Sequence, residues 1–179
     1  MTCLRCKKRD ATVELPHAGA LCNPCFLEMV EQRVRKDMSK HSPLKRGEKV
    51  CLLTNETKES AVSAWMMERI SSKLNLQVEQ RPLASPGVVS GFSKVFSPFD
   101  ADDVGSRFLE GIFKGQPQHP TLSLLQGVLD SEVKLFADLR KLPYQETSEH
   151  PSTKALRELE GFYPGSIFGL VKTQKQLEK

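Results

Sequence analysis

The stretch Lys49-Val-Cys-Leu-Leu-Thr54 decides the fold, together with the polar segment Asn55–Glu59 that follows it. Four consecutive apolar residues fill the centre of this stretch, which is typical of a strand buried on both faces in a parallel sheet. Cys51 lies within the run, and we interpret it as a small core residue and not as a nucleophile. The polar segment is a turn that leads out of the strand.

Helical periodicity begins directly after this turn. Apolar residues recur every three or four positions between Ser60 and Leu74, which predicts an amphipathic helix. Leu76–Gln80 then has the length of a second strand, and this strand, turn, helix and strand open a βαβ unit in an α/β domain. The pattern continues with a Pro/Gly/Ser-rich loop at Arg81–Gly91, a strand at Lys94–Phe99, a helix at Ala101–Lys114, a loop at Gly115–Pro120, helices at Asp130–Arg140 and Pro151–Gly161, and a tail containing Ile167–Val171.

Four cysteines precede this domain as two C-x2-C pairs: Cys3 and Cys6, then Cys22 and Cys25. Their spacing predicts one tetrahedral site with four thiolate ligands, brought together by a small β-hairpin. Such a site holds structural zinc, because four thiolates leave no coordination position open for catalysis. A pair of disulfides is the alternative, and an intracellular location argues against it. We interpret His17, between the pairs, as a surface turn residue.

A basic helix joins the cysteines to the domain. Apolar residues at helical spacing run from Phe26 to about Lys40, and Ser42-Pro43 ends the helix because the residue before proline is pushed out of the helical region. Basic side chains on this helix and after the first cysteine pair either meet a phosphate backbone or solvate a module whose thiolates are net negative. The candidate RNA-binding residues are Lys7, Lys8, Arg9, Arg33, Arg35 and Lys36.

Composition places the chain among globular proteins. Its 179 residues carry a net charge of +4 and are 39% hydrophobic, which predicts one domain with a small appendage. We divide it into a zinc module at 1–25, a basic linker helix at 26–46 and an α/β domain at 47–179. The sequence shows no secretory signal and no apolar run near the ~20 residues of a membrane span. We therefore expect a cytoplasmic protein without a membrane partner.

The order of these features resembles the cytosolic tRNA 2-thiolation proteins. In that family a zinc module precedes a PP-loop ATP-pyrophosphatase domain, whose phosphate loop S-G-G-x-D-S follows the first strand. Here Lys45–Val62 (KRGEKVCLLTNETKESAV) occupies the same place, and Phe99–Gly115, Ser131–Pro143 and Ala155–Gly165 are similar to later family segments. The resemblance implies a shortened sheet of the adenine nucleotide alpha hydrolase type.

The phosphate loop departs from the family pattern. S-G-G-x-D-S presents backbone N–H groups to ATP phosphates, and its glycines allow close approach. A Glu56 carboxylate ~4 Å from a phosphate would repel it by about 4 kcal/mol at an effective dielectric near 20, close to a thousandfold in affinity. We interpret the segment as an ordinary turn that does not bind ATP. The six positions read Asn55, Glu56, Thr57, Lys58, Glu59 and Ser60.

Cysteine usage is the second departure. The resemblance implies that active members carry further cysteines in the nucleotide domain, which hold sulfur or an iron–sulfur cluster. Of the five cysteines in this chain, Cys51 is the one outside the zinc module. Both departures resemble the tRNA 2-thiolation protein 2 group, a degenerate and noncatalytic branch of the family.

A function follows from this resemblance. It implies a noncatalytic subunit that forms a heterodimer with a catalytic paralogue in 2-thiolation of the wobble uridine of tRNA. Such a subunit would bind tRNA and would reach a ubiquitin-like sulfur carrier through the complex. Two alternatives stay open at this point: a divergent but active ATP-dependent tRNA sulfurtransferase, and a stand-alone zinc-ribbon RNA-binding protein.

Overall fold

The structure is a computed structural model that describes residues 1–84, 89–115, 122–146 and 151–177. A two-stranded antiparallel hairpin precedes a four-stranded sheet with helices. The strands are β1 (Val13–Leu15), β2 (Gly19–Leu21), β3 (Lys49–Thr54), β4 (Gln77–Pro82), β5 (Lys94–Asp100) and β6 (Ser123–Leu125). The helices are α1 (Asn23–His41), α2 (Lys58–Leu74), α3 (Ala101–Phe113), α4 (Asp130–Arg140), α5 (Pro151–Phe162) and α6 (Ser166–Leu177).

The four-stranded sheet is parallel throughout, in the order β4-β3-β5-β6. Within β3, Val50, Cys51 and Leu52 are fully buried, as predicted for a strand covered on both faces. Because β3 and β5 are parallel neighbours, their carboxyl ends lie at the same edge of the sheet. The turn after Thr54 and the helix that follows Asp100 therefore lie side by side.

Two groups of helices form two apolar cores. α1, α2 and α4 share the larger one with Leu52 of β3, and Phe26 and Phe136 are fully buried in it. α3, α5 and α6 share the second, which contains Leu156 and Ile167. α1 thus packs within the larger core, and the domain boundaries at residues 25 and 46 stay a prediction.

The hairpin is anchored to the domain through its turn. His17 Nε2 lies 3.2 Å from Oε1 of Glu132 in α4, whose side chain is fully buried. Arg33 of α1 contacts the other carboxylate oxygen at 2.6 Å. The His17 ring also packs edge-on against Phe168 of α6, with ring centroids 5.7 Å apart. His17 lies in the turn, as predicted, but its side chain joins the hairpin to two helices.

The structure confirms the predicted α/β class and most of its elements. Two elements were missing from the prediction: β6, which has three residues, and α6, where we expected a tail. Parts of the predicted loops, 85–88 and 116–120, lie outside the described residues. In the ranges that the structure covers, no helix has both the length and the apolar character required to cross a membrane.

Candidate functional site

Four thiols converge at the N-terminal end of α1. The Sγ atoms of Cys3, Cys6, Cys22 and Cys25 all lie within 4.8 Å of one another. Those of Cys6 and Cys22 are 3.8 Å apart. All four are free cysteines, Cys6 is partly buried and the other three are buried. The fold therefore brings the two C-x2-C pairs together into one site.

Local backbone structure positions each pair. After the first pair the chain turns at Lys7, which has a φ of 55° and donates its N–H to the Cys3 carbonyl at 2.9 Å. The second pair spans the start of α1, where Cys22 is the N-cap and its carbonyl accepts the Phe26 N–H at 2.9 Å. The hairpin between the pairs passes through Gly19, whose φ of 71° is a conformation that favours glycine.

Hydrogen bonds and burial separate the pKa values of these thiols. The backbone N–H of Cys6 lowers the pKa of Cys3 to about 6, and that of Lys8 lowers the pKa of Cys6. Burial, with the neighbouring thiols, raises the pKa of Cys25 to about 12. A metal cation binds thiolates and not thiols, so we expect metal binding to release protons, above all from Cys25.

The donor set fits a single tetrahedral metal ion. Zinc holds thiolates at ~2.3 Å, which places the sulfur atoms of a regular tetrahedron ~3.8 Å apart. This is the separation of the Cys6 and Cys22 sulfurs. A cluster of four irons would stand between the thiolates and hold them farther apart. The four cysteines therefore suit a closed mononuclear site.

The turn after β3 is held by its own side chains. Asn55 Oδ1 accepts the Thr57 backbone N–H at 3.3 Å and the Thr57 hydroxyl at 2.7 Å. Ser60 Oγ accepts the Asn55 N–H at 2.7 Å. None of residues 55–60 has a positive φ. A phosphate-binding loop needs unpaired N–H groups aimed at one point, and two N–H groups of this turn are already bonded within it.

Lys58 begins α2 beside this turn and is held by two carboxylates. Its Nζ lies 2.6 Å from Glu59 Oε1 and 2.7 Å from Asp130 Oδ1, and the side chain is 19% exposed. Burial alone would lower the pKa of Lys58, but the hydrogen bonds to Asp130 and Glu59 raise it. The amine is therefore charged and already paired within the protein.

Further carboxylates gather at this edge of the sheet. Oxygen atoms of Glu59, Asp100 and Asp130 lie within 4.8 Å of one another. Asp100 is 1% exposed and caps α3 by accepting the Asp103 N–H at 2.9 Å. Asp102 accepts the Asp130 N–H at 2.9 Å. We call Glu59, Asp100, Asp102, Asp103 and Asp130 the acidic cluster.

The acidic cluster resists full ionisation. Lys58 and Arg157 form ion pairs with its members. Burial nevertheless raises the pKa of Asp100 well above its usual value. Burial and the charge of Glu59 raise the pKa of Asp103 to about 6. A triphosphate brought to this edge of the sheet would meet like charges at short range.

These raised pKa values predict how stability depends on pH. Folded Asp103 binds a proton more tightly than the unfolded chain does, so the contribution of Asp103 to the free energy of unfolding should rise as the pH falls from about 7.5 to 5.5. We expect Asp103→Asn to reduce this rise and Asp10→Asn, which removes an exposed carboxyl, to preserve it. Urea unfolding of the metal-loaded chain across this range measures both. The same pH dependence of the free energy of unfolding in wild type and Asp103→Asn would contradict the raised pKa of Asp103.

The six basic residues predicted to meet RNA have different environments. Arg33 contacts Glu132 at 2.6 Å and the Gly127 carbonyl at 3.3 Å, so it holds helices together. Arg35 forms an ion pair with Glu31 at 3.1 Å. RNA binding by these six residues stays a prediction. The exposed members of the set are Lys7, Lys8, Arg9 and Lys36.

Sequence reasoning missed the acidic cluster. In the sequence, Asp100, Asp102 and Asp103 suit the N-terminus of the predicted helix at Ala101–Lys114, and no local pattern links them to Glu59 or Asp130. A signal was present, because Asp100 directly follows one predicted strand and Glu59 lies at the end of the turn after another. The carboxyl ends of parallel strands meet at one edge, so the two groups could have been placed together.

Comparison with known proteins gives one sequence relative. The chain is 26% identical over 92 residues to Cytoplasmic tRNA 2-thiolation protein 1 of Laccaria bicolor. The match covers 51% of this chain and 26% of that protein, so it spans about a quarter of the relative's length. No protein-family model matches the chain.

Comparison of structures identifies the fold. The U34-tRNA thiolase NcsA from Methanococcus maripaludis, solved with its 4Fe-4S cluster, superposes on the chain with a TM-score of 0.74. The likeness covers 99% of this chain and 88% of the thiolase, at 15% sequence identity. The chain therefore has the fold of a PP-loop thiolase, with a four-cysteine group near its N-terminus.

Proposed function

We propose that this chain is a noncatalytic subunit for 2-thiolation of the wobble uridine of tRNA, of the tRNA 2-thiolation protein 2 type. The likeness to a tRNA thiolase and the match to tRNA 2-thiolation protein 1 support the thiolation setting. The observation that carries the noncatalytic role is the segment Asn55–Ser60, which forms the turn after β3 and the start of α2 at the acidic cluster.

Electrostatics and hydrogen bonding at the end of β3 are the reason that we propose no ATP binding there. A nucleotide triphosphate requires unpaired N–H groups and positive charge at the end of the strand. Two N–H groups of this segment are bonded to the side chains of Asn55 and Ser60, and its one amine, on Lys58, is paired with carboxylates. We therefore propose that this edge does not bind ATP and that adenylation takes place on another subunit.

The four cysteines, in this proposal, hold one structural zinc ion. Their sulfur spacing and closed geometry support this choice. The ion would stabilise the hairpin and the first turn of α1, which are too short to fold by themselves. His17 joins the hairpin to α4 through Glu132, so the zinc module is attached to the helices of the α/β domain.

The proposed partners follow from this division of work. The chain pairs with the catalytic PP-loop thiolase in the cytoplasm and adds a tRNA-binding surface to it. A ubiquitin-like sulfur carrier is reached through the complex. This role requires no thiol chemistry from the chain itself, and Cys51, outside the zinc site, is buried in β3.

Affinity purification of the tagged full chain from its native cell tests this function. We expect mass spectrometry to find a PP-loop tRNA thiolase in near-equal amount, and we expect the chain produced alone, without that thiolase, to release no pyrophosphate from ATP and tRNA. Purification without any such thiolase would overturn the proposal. Pyrophosphate release that disappears in both Lys58→Ala and Ser60→Ala would show an active sulfurtransferase instead.

A further inference from the structure

A cluster of arginines lies where α1, α2 and α4 meet. Glu31 of α1 forms ion pairs with Arg140 at 2.9 Å, Arg35 at 3.1 Å and Arg69 at 3.6 Å. The Glu31 side chain is 10% exposed, whereas those of Arg35, Arg69 and Arg140 are 38%, 49% and 33% exposed. We call these three residues the arginine triad.

The triad carries more positive charge than its carboxylate balances. One Glu31 faces three guanidinium groups, and each guanidinium has five N–H donors. The two carboxylate oxygens engage only one nitrogen of each arginine. Lys73 is exposed and lies one helical turn beyond Arg69 on α2, so it extends the same face. Most of these donors are therefore open to an anionic partner from solution.

Trp65 fixes the orientation of two members of the triad. The Arg140 guanidinium carbon lies 4.5 Å from the indole centroid, and that of Arg69 lies 4.9 Å from it. Phe136 packs edge-on against the same indole, with centroids 5.3 Å apart. A guanidinium stacked on an aromatic ring keeps its edge free for two parallel hydrogen bonds to a phosphate.

We infer that the arginine triad binds the phosphate backbone of RNA, an inference that rests on the proposed function for its choice of partner. Phosphate oxygens match the fork of an arginine, and successive phosphates can meet the triad and Lys73 together. Trp65 holds two of these guanidinium groups in place, so the site is ordered before an anion binds. An acidic protein segment would satisfy the same charge, and the proposed function favours RNA.

Binding of a labelled, unmodified tRNA transcript to the full chain tests this site. We expect Arg69→Gln/Arg140→Gln to weaken binding about 20-fold at about 0.15 M salt, and to make the plot of log affinity against log salt shallower by about two. Lys114→Gln/Lys154→Gln removes the same charge from the C-cap of α3 and from α5, and should bind like wild type. Trp65 is the single tryptophan, so its emission should change when wild type binds tRNA.

Three results would overturn the inference. Equal tRNA affinity of wild type and Arg69→Gln/Arg140→Gln would exclude the triad, and so would a wild-type chain that binds no tRNA. Tighter wild-type binding of polyglutamate than of tRNA would show a site for an acidic protein. None of these three results would test the proposed subunit role, which depends on whether affinity purification recovers the thiolase. Circular dichroism checks that each variant is folded.

Discussion

Cys22→Ala is expected to remove the metal from the N-terminal module and to unfold β1 and β2, whereas Cys51→Ala is expected to preserve both. Structural zinc contributes apparent free energies of about 10–16 kcal/mol in zinc-finger peptides. β1 and β2 have three residues each, and a hairpin this short does not fold by itself. Cys51 is buried in β3, away from the four-thiol site, so its loss costs about 1–2 kcal/mol of core packing.

Two measurements check this result. Metal analysis after desalting should give about one equivalent for wild type and Cys51→Ala, and under about one tenth for Cys22→Ala. Hydrogen exchange should show lost protection of residues 3–25 in Cys22→Ala alone. A desalted Cys22→Ala chain that keeps a full equivalent of metal would contradict a site made of four thiolates. Metal loss in Cys51→Ala would contradict the position of Cys51 outside that site.

The second large effect is expected at Glu132. Its fully buried carboxylate contacts Arg33 at 2.6 Å, His17 at 3.2 Å and the Leu129 N–H at 3.0 Å. Burial alone would raise the pKa of Glu132, but His17 and Arg33 lower it below its usual value. Glu132→Ala leaves a partly buried guanidinium without its carboxylate, so we expect the free energy of unfolding to fall by about 3–5 kcal/mol.

Matched variants separate this effect from the loss of any ion pair. Glu146 pairs with Lys134 on the surface and is 78% exposed, so Glu146→Ala should cost no more than about 1 kcal/mol. Arg33→Met/Glu132→Leu removes both buried charges and should recover much of the loss. Urea unfolding measures all three variants. A Glu132→Ala chain as stable as Glu146→Ala would exclude a structural role for the network.

Periodicity and spacing predicted much of the fold because they are local signals. The apolar run of β3, the helical pattern of α2 and the paired cysteines each depend on residues close in sequence. The same signals fail for β6, since three residues are too few to show a period. α6 was missed because its burial against α3 depends on tertiary packing and not on its own pattern.

The candidate site depends on contacts that no local pattern records. Sequence reasoning identified the Asn55–Ser60 turn through its missing glycines, but not the carboxylates that surround Lys58. Glu59 and Asp130 are far apart in sequence and meet only once the sheet has formed. Glu31 and Arg140 are separated by 109 positions, so the local sequence around Arg140 could not predict its contact with α1.

The contact between His17 and Glu132 has a consequence for the order of events during synthesis. These residues are 115 positions apart, and Phe168, which packs on the same imidazole, follows later still. All four cysteines leave the ribosome with the first 25 residues, so the module can acquire its metal early. Its docking must wait until α4 and α6 have emerged. Metal loading and docking are thus separate steps in time, and a nascent chain stalled before residue 130 should carry a loaded but unattached module.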